Sequence, residues 1–126
     1  MNHLFVSAAA LAIATGLAHT ILGEVLIFRR LRRGTLVPTW GGDVLREPHV
    51  HILWASWHLP TLLGWCLAAM LVELAARPGD ALASSLAGLI CVGLAACGLT
   101  VLVGTRGRHP GWLAMLLIAA LVEAGR

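Results

Sequence analysis

Long apolar runs alternate with short polar clusters along the chain, a pattern that predicts four membrane-crossing helices. The first run extends from about Leu4 to Phe28 and stops at Arg29-Arg30-Leu31-Arg32-Arg33. A polar stretch holding Pro38, Gly41, Gly42 and Pro48 follows. The second run covers about His51 to Ala76 and closes at Arg77-Pro78-Gly79-Asp80, where proline and glycine both oppose helix continuation. The third extends from about Ala81 to Val103. A basic loop carrying Arg106 and Arg108 then leads to the fourth, from about Pro110 to Ala124. The expected fold is an all-α, integral membrane four-helix bundle forming one domain over residues 1–126. Three spans reach the roughly 20 residues that a bilayer requires, and the fourth is shorter.

Composition agrees with this pattern. Of 126 residues 59% are hydrophobic and 12% charged, about half the charge of an ordinary soluble domain. The net charge of +3 comes from nine arginines and no lysine. These arginines flank apolar spans and form no basic face with aromatic or polar interleaving, so nucleic acid is not an expected partner. The expected surroundings are the lipid bilayer, within either a homo-oligomer or a larger membrane complex. Cys66, Cys91 and Cys97 all lie in apolar runs without metal-knuckle spacing and read as small helix fillers.

The arginines also set an orientation. The first and third connections hold Arg29, Arg30, Arg32, Arg33, Arg46, Arg106 and Arg108, seven against Arg77 and Arg126 on the other side. The positive-inside rule puts those seven in the cytoplasm and both termini in the periplasm of a bacterial inner membrane. So strong a bias argues against an antiparallel dual-topology dimer. The first span carries its charge after a core of about 25 residues, unlike a signal peptide, which is charged before a short core. An uncleaved helix is expected.

The third span is rich in small residues, with Ser84 and Gly88, and Ala87, Cys91 and Ala95, at four-residue spacing. That spacing permits close helix packing in lipid.

Candidate chemistry rests on ionisable residues inside apolar spans, where burial costs several kcal/mol unless a partner is present. His19 and Glu24 fall in the first span, and His51 and His58 in the second. At about 1.5 Å per residue, His19 lies about 5 Å and His58 about 8 Å to the cytoplasmic side of the midplane. Glu24 lies deeper toward the cytoplasm, with His51 and His109 at that mouth. His51, Trp54, His58, Thr61 and Trp65 follow three- and four-residue steps and share one helix face. Pro60 deprives the Ser56 carbonyl of its helical partner, predicting a kink and a free acceptor beside His58. Trp54 and Trp57 read as interfacial anchors.

Three readings of this cluster stand. The first is an interhelical hydrogen-bond network in which Glu24 pairs with a histidine or an arginine. The second is ligation: His19 and His58 as axial ligands of haem b, or His19, Glu24 and His58, with His51 at the mouth, around a transition metal. The third is a proton relay through Glu24, His58 and His19, as in a proton-coupled small transporter. As a functional assignment, binding of a metal or haem in a redox role ranks ahead of solute transport. An accessory or assembly subunit of a larger membrane complex is its chief rival. No nucleophile paired with a base and no phosphate loop occurs, so no catalytic residue is assigned.

The segments His19-Thr20-Ile21-Leu22-Gly23-Glu24 and Trp54-Ala55-Ser56-Trp57-His58, with the arginine cluster between them, resemble a group of small bacterial four-helix inner-membrane proteins. The resemblance covers the first two spans and implies the four-helix fold, with no activity attached. The chain resembles neither the small multidrug exporters nor the fluoride channels.

Overall fold

The computed structural model describes all 126 residues. The chain is all-helical: α1 (His3–Leu26), a short 3-10 turn (Phe28–Leu31), α2 (Glu47–Ala75), α3 (Ala81–Gly104) and α4 (Gly111–Gly125). Its extended backbone pairing is confined to one isolated bridge between Gly41 and Leu45. Three segments are long and apolar enough to cross a membrane: His3–Leu31, Glu47–Ala75 and Ala81–Gly104. With 15 residues, α4 extends only about 22 Å against a hydrocarbon core of about 30 Å.

Helix ends follow local chemistry. The Asn2 side chain accepts from the backbone N–H groups of Leu4 and Phe5 at 3.0 and 3.3 Å and so caps α1. Asp80 caps α3 in the same way, accepting from Leu82 and Ala83 at 2.7 and 3.1 Å. Helix α2 begins at Glu47, four residues before the apolar run does. Pro48 is tolerated in that first turn because its missing N–H would have no intrahelical partner there. The helix also continues through Pro60 as one element of 29 residues.

The backbone resolves into two compact units, Met1–Thr15 with Gly64–Arg126, and Gly16–Leu63. The first is apolar. Its core joins Phe5, Ala8, Ala9, Ala12, Ala68, Leu71, Leu74, Ala75, Ala83, Ala87, Ile118 and Val122. Small residues fill much of this interior, while Leu89, Val92 and Val103 are 69, 68 and 76% exposed. Within this unit α3 packs on α4. A Cβ on buried Gly98 would lie 3.1 Å from Leu116 and 3.3 Å from the Trp112 carbonyl, and the Cys91 thiol donates to the Ala119 carbonyl at 3.4 Å. The small-residue helix therefore has a partner within the chain. Asn2 secures the helix ends here as well: its N–H donates to Ala75 O at 2.8 Å and its side-chain amide to Gly125 O at 2.6 Å.

The second unit contains the last part of α1, the 3-10 turn, the connection to α2, and the first part of α2. Its interior is largely polar, with Phe28 and Val50 buried alongside Thr61.

Candidate functional site

Where α1 faces α2 in the second unit, the polar positions meet. Glu24 Oε1 accepts from Trp54 Nε1 at 2.7 Å and from His58 Nε2 at 3.0 Å. Its other oxygen, Oε2, forms an ion pair with the Arg32 guanidinium. One carboxylate thus gathers an indole, an imidazole and a guanidinium. The helical repeat explains the convergence, since Trp54 and His58 are one turn apart on α2 and both reach the turn bearing Glu24.

A hydroxyl chain runs on from His58. Its Nδ1 lies 3.4 Å from Thr20 Oγ1, Thr20 donates to Thr61 at 2.9 Å, and Thr61 donates to the Gly16 carbonyl at 3.2 Å. A carbonyl only accepts, so each threonine proton is directed away from the histidine. Thr20 therefore turns a lone pair toward Nδ1. Both nitrogens of His58 face acceptors.

His19 and Trp57 form a reciprocal pair beside this chain. The His19 Nε2–H donates to Trp57 O at 3.1 Å, and Trp57 Nε1 donates to His19 O at 3.2 Å. Their rings stack at 4.4 Å with planes 9° apart. Gly23, one turn beyond His19, leaves space for the indole, because a Cβ there would overlap Trp57. Phe28 adds an edge contact to Trp57 at 5.9 Å and a tilted contact to His58 at 6.1 Å.

No protein-family model matches this chain, and no curated protein or solved structure matches it either.

Of the residues singled out from sequence, Glu24 and His58 touch directly, and His19 lies against the neighbouring Trp57. His51 stands apart, its Nε2 3.6 Å from Glu47 one turn away on α2. His109 is outside this unit, where its Nδ1 accepts from the Gly111 N–H at 3.0 Å at the start of α4. No three His, Cys, Asp or Glu side chains converge into a group able to hold a metal ion. The carbonyl that receives an outside donor is that of Trp57, one residue beyond the Ser56 carbonyl expected from Pro60.

Two participants were not assigned from sequence. Arg32 reads there only as a topological charge, and it proves to be the arginine partner that the network reading left unnamed for Glu24. Trp57 reads as an interfacial anchor, yet it is the stacking partner of His19. For Trp57 a signal existed: His19 and Gly23 are four apart, so a glycine notch lies on the histidine's own face.

Proposed function

We propose that the chain is a small multi-pass inner-membrane protein in which His58 is a proton-binding site, coupled through Glu24 to the packing of α1 on α2. The observation that carries this reading is the pair of acceptors around one imidazole: Glu24 Oε1 at Nε2 and the Thr20 lone pair at Nδ1. A neutral imidazole fills only one of two such acceptors, and an imidazolium fills both. Histidine is also the side chain suited to changing charge near neutral pH. The hydroxyl chain ends on a carbonyl, which favours a site that holds a proton over a wire that conducts one along that route.

Support for the membrane setting comes from the three long apolar segments and from the many large apolar side chains left exposed along them, among them Leu63, Leu89, Val92 and Val103. That arrangement exposes large apolar surface, which water penalises and lipid accepts. The seven-against-two distribution of arginines favours both termini in the periplasm. Against ligation stands the absence of any three His, Cys, Asp or Glu side chains grouped to hold a metal ion, and the Nε2 atoms of His19 and His58 already serve Trp57 O and Glu24.

A pH series on the protein in liposomes tests the assignment. Tryptophan fluorescence, which reports the packing of Trp54 and Trp57 between α1 and α2, should change reversibly with pH, and His58→Ala should abolish that change. A pH response undiminished in His58→Ala overturns the proposal. A visible absorption band or one bound metal per chain, lost in His58→Ala, would move the site to ligation and also overturn it.

A further inference from the structure

We propose that the connection between α1 and α2 is a binding surface for the phosphate headgroups of anionic phospholipids, an inference that rests on the membrane reading above. Residues 29–46 contain five arginines and a single carboxylate, Asp43. Arg32 is committed to Glu24. Arg33 lies over the Trp40 ring, 4.7 Å from its centroid, a cation–π contact that leaves its guanidinium N–H edge open. Arg29, Arg30 and Arg46 are exposed and take part in none of the chain's four ion pairs. Guanidinium groups without carboxylate partners, adjacent along the chain at Arg29 and Arg30, are the chemistry that recognises phosphate.

The connection is built, not slack. The Leu31 carbonyl accepts from Thr39 at 3.2 Å and from Trp40 at 3.0 Å, folding the segment back onto the 3-10 turn. Leu45 donates to Gly41 at 3.2 Å, and Gly42 takes the positive φ of 66° that this tight turn needs. Pro38 is fully buried. This folded segment nevertheless turns Leu36 and Val44 outward, 80 and 87% exposed, with Trp40 at 43%. Exposed apolar and aromatic side chains within the same connection as the unpaired arginines give it an amphiphilic character. An anionic phospholipid matches both halves, its phosphate against the guanidinium groups and its glycerol and upper acyl region against Leu36, Trp40 and Val44. Free inorganic phosphate would satisfy only the first.

The test uses the full chain purified in detergent and titrated with dioleoyl phosphatidylglycerol or dioleoyl phosphatidylcholine. Binding is read as the part of the tryptophan fluorescence change that Trp40→Phe removes. Phosphatidylglycerol should bind at least tenfold more tightly than phosphatidylcholine. Arg29→Gln with Arg30→Gln should erase that preference, whereas Arg106→Gln with Arg108→Gln should keep it. Equal affinity for the two lipids in the unaltered protein overturns the inference, as does full competition by inorganic phosphate at matched concentration. Alkaline carbonate extraction of native membranes separates the two layers of argument. A chain that stays in the membrane but shows no lipid preference removes this inference alone, and a chain released to the supernatant removes the membrane reading beneath it.

Discussion

Glycine at position 23 and glutamate at position 24 set the chemistry of the site by different means. Gly23 matters for what it lacks. A valine there would overlap the Trp57 indole and should destabilise the protein by about 1–3 kcal/mol, as overpacking does. Thermal unfolding followed by tryptophan fluorescence measures this, and an unchanged midpoint would show that the indole has another place to go. Glu24 matters for what it joins. Its ion pair with Arg32 and its bond to His58 leave either partner unsatisfied when the carboxylate is removed. Glu24→Gln and Arg32→Gln should each lower stability, and the double variant should cost less than their sum. Strict additivity would mean the two side chains are not coupled in solution. His19, Glu24 and His58 were legible as one cluster because histidine and glutamate stand out in apolar runs, but depth paired His19 with His58, whereas His58 meets Glu24 and His19 meets Trp57. Arg32 was not legible as a member, since an arginine after an apolar helix has a sufficient topological explanation.

At the scale of the element, caps and turns fixed where helices begin and end. Asp80 supplies the only side-chain acceptors at the start of α3, bonding two of its backbone N–H groups. Asp80→Ala should cost about 1 kcal/mol, and Asp80→Asn should recover most of it, because asparagine caps comparably. A thermal denaturation series of the three proteins decides the matter, and equal loss in both variants would assign the effect to charge instead. The sequence placed the start of α3 at Ala81, where it is observed, for the same reason: Pro78, Gly79 and Asp80 form an explicit boundary. It began α2 four residues late, because Glu47 and His49 look like loop residues until Pro48 is recognised as a first-turn proline. Pro60 did not break α2, whose helix carries through it.

For the whole molecule, charge distribution is the property with a direct test. Replacing Arg29, Arg30 and Arg33 with glutamine reduces the bias from seven against two to four against two. It leaves Arg32 with Glu24. A C-terminal reporter should then shift from one compartment toward a mixed orientation; complete retention of the original side would place the determinant elsewhere. The all-helical class, three long apolar helices and a shorter fourth were all determined by hydrophobic run length and arginine placement, which are local properties of the chain. Tertiary structure decided what local properties do not contain. Helical periodicity put His51, Trp54, His58 and Thr61 on one face of α2, but only the pairing with α1 gave Glu24 two donors on one oxygen and bound His19 to Trp57. It also confined the polar network to Gly16–Leu63 and the alanine-rich core to the other unit. Run length is written residue by residue, whereas the partner of a buried charge depends on which side chains distant in sequence arrive beside it.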